Sequence, residues 1–90
     1  MTTMANAPAT RMDLTHLRRE ARTALELAIV DFASTDLIER LAVVSGLLEA
    51  LAELPPESPP ALALGPTTVT RARSALTDWQ NWSAARKKLA

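Results

Sequence analysis

Few side chains in this sequence could do chemistry. His16 is the only imidazole, and acids lie three residues before it and four after it, at Asp13 and Glu20. A histidine beside carboxylates could act as a general base or as a pH switch. No nucleophile in a glycine elbow accompanies it, and a solvated histidine with acidic neighbours explains the same pattern. We therefore expect no catalytic residues and a function that is not enzymatic.

Metal and cofactor chemistry is equally poorly supported. Glu49 and Glu53 would share a helix face and could act as paired carboxylates on a metal, but no Glu-x-x-His pattern accompanies them. The chain has no cysteine, so thiolate ligands and disulfides are excluded. The only glycines, Gly46 and Gly65, stand too far apart for a phosphate-binding loop. The sequence predicts no metal and no cofactor.

Four residues are candidates for binding another protein: Trp79, Trp82, Arg86 and Gly46. Tryptophan and arginine are enriched in interface hot spots, and Arg86 could cover the Trp82 ring. Trp79 continues the apolar stripe of Val69, Ala72 and Leu76, so we expect it in the core. Trp82 lies to one side of that stripe. Gly46 inside a helix costs about 1 kcal/mol relative to alanine, which either a close backbone approach or simple tolerance at the surface could explain.

The charges are segregated along a chain with no net charge. Residues 1–22 carry +2, residues 23–60 carry −6 and residues 61–90 carry +4. This pattern favours charge complementarity within the chain or between subunits. It differs from the uniformly basic balance of nucleic-acid-binding proteins. Weak nucleic-acid binding by the basic residues of helices 1 and 3 is therefore only the alternative function.

These residues must be positioned by helices. Alanine and leucine dominate and β-branched residues are few, which predicts an all-α fold, a three-helix bundle that oligomerisation could complete. Helix 2 is predicted from residue 37 to residue 54 and is apolar on most sides, so neighbours should cover it. Its central stripe has spacings of four and three residues: Leu37, Leu41, Val44, Leu48 and Leu51. Four further apolar residues widen this stripe: Ile38, Val43, Leu47 and Leu54.

Helix 1 is predicted from Asp13, as N-cap, to Ala33. Its apolar face comprises eight residues: Leu14, Leu17, Ala21, Ala24, Leu25, Ala28, Ile29 and Phe32. A short break follows, and Asp36 with Glu39 resembles a capping box for helix 2. Such a short break predicts an antiparallel hairpin of helices 1 and 2.

The segment PPESPPALALGP predicts a stiff, extended linker, with Leu62 and Leu64 tucked over the end of the core. Helix 3 is then predicted from Pro66 or Thr67 to Leu89, antiparallel to helix 2 by default, although the linker could also reach a parallel arrangement. Its last turn holds three basic residues that complement the helix dipole.

The domain prediction is a disordered tail over residues 1–12 and one helical domain over residues 13–90. Met1, Met4 and Met12 are alternative starts. No secretory signal and no membrane-spanning run is present, which favours a cytoplasmic protein without a membrane partner. The expected partner is a second copy of the chain or another protein.

Three features of residues 24–82 carry a family resemblance: the Ala/Leu-rich hairpin, the SPPALAL linker and the RARSALTDWQNW segment. Together they resemble the small helical proteins associated with caspase-like peptidases and helical-repeat proteins in bacterial conflict systems. The resemblance implies an accessory or adaptor role in defence, without catalytic residues.

Overall fold

The computed structural model describes residues 11–55 and 57–89. Three helices follow one another: α1 (Arg11–Val30), α2 (Thr35–Ala52) and α3 (Pro59–Leu89). The described part contains no strand, so the predicted all-α fold of three packed helices is confirmed. The predicted tail lies outside the described residues up to residue 10, and α1 already includes Arg11 and Met12.

Side-chain contacts between the helices define an up-down-up arrangement. Arg18, early in α1, pairs with Glu49, late in α2. Arg40, early in α2, pairs with Asp78 in the second half of α3. The last turn of α3 contacts the end of α1, where Arg86 donates a hydrogen bond to a backbone carbonyl. Helix α2 is therefore antiparallel to both of its neighbours, as expected for a bundle with short connections.

The core lies where the three helices meet, and α2 contributes its largest members. The five residues of the predicted central stripe are all buried: Leu37, Leu41, Val44, Leu48 and Leu51. Leu41 and Leu48 are completely inaccessible. The wider stripe is covered only in part, since Ile38, Leu47 and Leu54 are half-buried and Val43 is 57% exposed. Two neighbouring helices thus cover one broad face of α2 rather than most of its circumference.

Helix α1 ends earlier than predicted, in a Schellman motif. The Ala33 amide bonds to the Ala28 carbonyl at 2.9 Å, and the Phe32 amide bonds to the Ile29 carbonyl at 3.2 Å. Phe32 occupies the left-handed position of this motif, with φ of 57°. This turn carries Phe32 off the apolar face, so its predicted core position is wrong and its side chain is 87% exposed. Ile29, also predicted in that face, is 54% exposed.

The predicted helix caps need two corrections. Asp13 lies inside α1 rather than at its N-cap. Ser34, not Asp36, caps α2, since its side chain accepts a hydrogen bond from the Leu37 amide at 3.3 Å. Serine fits this position as well as aspartate does. Asp36 then lies in the first turn of α2, where its negative charge interacts favourably with the positive end of the helix dipole.

Helix α3 begins seven residues before the predicted start at Pro66, so the extended-linker prediction is wrong. Ser58 accepts a hydrogen bond from the Ala61 amide at 3.4 Å through its hydroxyl, and from the Leu62 amide at 3.0 Å through its carbonyl. Pro59 and Pro60 occupy the first turn, where a missing N–H costs nothing. A further proline, Pro66, lies inside the helix.

Starting so early makes α3 the longest helix, with 31 residues. A rise of about 1.5 Å per residue gives a length of about 46 Å, matching the longest dimension of the molecule, 45 Å. Leu62 and Leu64 lie in the early turns and are 51% and 54% exposed, so the prediction that they cover the core is wrong.

Candidate functional site

Residues from two helices converge at the end of the bundle where α1 stops. The Trp79 and Trp82 rings stack with centroids 5.5 Å apart and an angle of 20° between their planes. Arg86 extends this stack, because its guanidinium carbon lies 5.3 Å from the centroid of the Trp82 ring. The same guanidinium donates a hydrogen bond to the Asp31 carbonyl. This chain of contacts joins the last turns of α3 to the C-terminus of α1.

The predicted interaction residues fall into three different environments. Trp79 is 8% exposed, which confirms its expected place in the core and removes it from the surface. Trp82 is half-buried and packs against the core. Arg86 is exposed, and it bonds to the residue that precedes Phe32. Of the predicted candidates, Trp82 and Arg86 thus lie at one shared surface.

Gly46 lies away from that surface, on the exposed side of α2. A Cβ atom added there would meet nothing within 4 Å. No backbone within the described chain therefore requires a glycine at this position. The close-approach interpretation of Gly46 would need a partner molecule.

Sequence reasoning missed Phe32 as a surface residue. Helical periodicity extended the apolar face of α1 to this position, whereas the helix ends just before it. Three other apolar residues near the end of α1 are also exposed: Leu27, Ile29 and Val30. We call Ile29, Val30 and Phe32 the α1 terminal surface. The signal in the sequence was the polar Ser34-Thr35-Asp36 cluster, which requires the helix to stop a few residues earlier.

His16 lies in a groove of about 450 Å³ between α1 and α3. Glu20 and Thr77 line the same groove, but no hydrogen bond joins His16 to either of them. A general base needs to reach the group that it deprotonates, and this groove holds no such linked pair. Glu49 and Glu53 are the candidate carboxylate pair for a metal. The Glu49 carboxylate forms an ion pair with Arg18 at 3.2 Å.

Within residues 11–55 and 57–89, no cluster of three or more potential metal ligands occurs. None of the helices in this described part has the length and apolar character needed to cross a bilayer.

The segregated charges pair as expected only in part, since Arg18 of α1 pairs with Glu49 of α2. Three ion pairs connect described side chains, and only Arg40–Asp78, at 2.5 Å, joins α2 to α3. That pair uses the one basic residue of α2 and the one acidic residue of α3. The excess acid of α2 and the excess base of α3 therefore do not neutralise each other within the described chain.

The fold and this surface define a small three-helix bundle with an exposed apolar helix end. No protein-family model, curated protein or solved structure matches the chain.

Proposed function

We propose that this chain is a non-enzymatic helical interaction module that docks on another protein through the α1 terminal surface. The observation that carries the proposal is the state of Phe32, which combines a left-handed backbone with a side chain that is 87% exposed. Both features are unfavourable for the isolated chain. A backbone outlier of this kind is a reason to look for function at the position where it occurs.

The energetic argument has two parts. A left-handed conformation costs a residue with a Cβ roughly 1–2 kcal/mol, and glycine usually occupies this position in a Schellman motif. Burying a phenylalanine side chain fully would return about 1.5–3 kcal/mol, but Phe32 recovers little of this in the free chain. A partner that covers Phe32 supplies the missing burial. Aromatic residues, phenylalanine among them, are also enriched at protein interfaces.

The neighbouring contacts hold this surface in a fixed shape. Arg86 bonds to the Asp31 carbonyl, which lies directly before Phe32 in the chain. The Arg86 guanidinium lies over the Trp82 ring, and Trp82 stacks on the buried Trp79 ring. A pre-organised surface loses less conformational entropy on binding. Arg86 and Trp82 thus contribute by positioning the turn that presents Phe32.

The test replaces Phe32 by a photoreactive phenylalanine analogue in the cells that make the protein. Irradiation should give a heavier covalent product of defined mass, whose second component mass spectrometry identifies. The matched control carries the same analogue at Glu53, an exposed position at the opposite end of α2. No product from position 32, or the same products from both positions, would refute the proposal.

The identity of the crosslinked protein would also test the biological setting. A peptidase or helical-repeat protein of a bacterial defence system would support the adaptor role that the resemblance implies. A cytoplasmic location stays a prediction that cell fractionation can check.

The alternative, nucleic-acid binding, gains no support from the placement of the basic residues. Arg71 lines a groove beside α2, whereas Arg73 lines the groove beside α1, on the other side of α3. On α1, Arg18 and Arg22 each have an acidic partner. Phosphate binding would require these cations on one continuous face. A gel shift at low salt remains the direct test of this alternative.

A further inference from the structure

A groove between α2 and α3 has walls of opposite charge. Its volume is about 540 Å³, and its floor includes the buried Val44 and Ala75. Asp36 and Glu39 line it on the α2 side, and Arg71 lines it on the α3 side. The apolar content of the groove and its position between two helices are typical of a surface that accepts another protein element.

The charges on the two walls are not satisfied by each other. Neither Glu39 nor Arg71 belongs to any of the three ion pairs between described side chains. The nearby Arg40 is already engaged, since it contacts Asp78 at 2.5 Å and Ser74 at 3.4 Å. Val43 lies on the α2 wall with 57% of its surface exposed. The groove thus offers two acids, one base and one apolar side chain to an incoming molecule.

We propose that a second copy of this chain packs against the two walls of the groove and forms a two-fold symmetric dimer. A two-fold contact requires a surface that is complementary to itself, and an acidic wall beside a basic wall has this property. If the axis runs parallel to the helices, α2 of each copy lies on α3 of the other. Glu39 then faces the second copy's basic wall, which contains Arg71, and each Val43 side chain is covered by α3 of the other copy.

Charge complementarity selects this occupant over the others. A nucleic acid would be repelled by Asp36 and Glu39, and an acidic or basic peptide would match only one wall. This inference goes beyond the proposed function, because it uses a different surface from Phe32. Each proposal can therefore fail without the other.

The test measures the mass of the full chain by sedimentation velocity over a range of concentrations. We expect a monomer–dimer equilibrium that weakens when the salt concentration rises from about 0.05 M to about 0.5 M, because salt screens exposed ion pairs. The single variants Glu39→Arg and Arg71→Glu should each weaken the dimer about tenfold, since each removes two symmetry-related pairs and adds repulsion. The double variant should restore the wild-type dissociation constant.

Two controls separate the groove from the rest of the surface. Arg73→Glu changes the same charge on the other side of α3 and should leave the dimer unchanged. Val43→Asp should abolish dimerisation, whereas Val30→Asp, at an exposed residue of the α1 terminal surface, should not. Far-UV circular dichroism melts confirm that each variant is folded.

Three results would overturn the proposal. The first is a monomer at every concentration at low salt. The second is a dimer that Glu39→Arg, Arg71→Glu and Val43→Asp leave unchanged. The third is a dimer that Val30→Asp disrupts instead, which would assign self-association to the α1 terminal surface.

Discussion

Replacing Phe32 by glycine should stabilise the isolated protein. Phe32 has φ of 57°, a conformation that glycine adopts without the steric cost of a Cβ atom. Relief of that cost is worth roughly 1–2 kcal/mol. The loss of the side chain is small, because Phe32 is 87% exposed and only a fraction of the about 1.5–3 kcal/mol for full burial is forfeited.

The greater freedom of glycine in the unfolded chain offsets part of the gain, by roughly 0.5–1 kcal/mol. The net expectation is a stabilisation of about 0.5 kcal/mol. For a domain of this size, 1 kcal/mol corresponds to a rise in melting temperature of roughly 4–8 °C. The Phe32→Gly variant should also lose binding to the partner, although it is more stable than the wild type.

The assay is urea unfolding followed by circular dichroism, with Phe32→Ala as the matched control. Alanine removes the same aromatic ring but keeps the Cβ atom, so this variant should not gain stability. The reasoning is refuted if Phe32→Gly destabilises the protein, or if Phe32→Ala is stabilised equally. The first result would mean that the ring packs on the core, and the second would mean that the backbone carries no strain.

Three further predictions concern stability. Leu48→Ala should cost about 2–5 kcal/mol, because this side chain is completely buried between the helices; a thermal melt equal to that of the wild type would contradict its core position. Gly46→Ala should stabilise by about 0.5–1 kcal/mol, because the helix gains propensity and the added methyl group meets open space; destabilisation in a urea titration would show an unrecognised contact. Ser34→Ala should cost about 1 kcal/mol through loss of the α2 cap, whereas Ser34→Asp, which restores an acceptor, should recover most of the loss in the same titration.

The sequence predicted the helices well where their apolar periodicity is strong. The spacing of Leu41, Val44 and Leu48 defined one buried face, and the structure buries all three. The position of Trp79 in the core followed from the same argument. These features depend on local periodicity, which a sequence displays directly.

The helix ends were predicted less well, because competing caps look alike in a sequence. Ser34 and Asp36 are both good N-caps, and only the three-dimensional turn shows that Ser34 accepts the Leu37 amide. The prolines at 59 and 60 indicated a linker, although the same residues are well tolerated in the first turn of a helix. The local sequence does not distinguish between the two caps, or between a linker and a helix start at the prolines. Tertiary packing decides between them.

The candidate site could be anticipated only in part. Trp82 and Arg86 were identified from their spacing, and their contact is present at 5.3 Å. The contribution of Phe32 depends on where α1 stops, and the groove at Val43 depends on how α3 lies across α2. The groove joins chain segments far apart in sequence, so no local pattern contains it, whereas the end of α1 has a local signal in the polar Ser34-Thr35-Asp36 cluster.

The central claim is that α2 is a buried helix held between α1 and α3. Amide hydrogen exchange of the whole chain tests it most directly, because protection reports how much of the structure must open before each amide exchanges. We predict the slowest exchange over residues 41–48 of α2 and fast exchange over the first turns of α3, near Leu62 and Leu64. Exchange in α2 as fast as in an unstructured peptide would contradict the bundle and the surfaces that it presents.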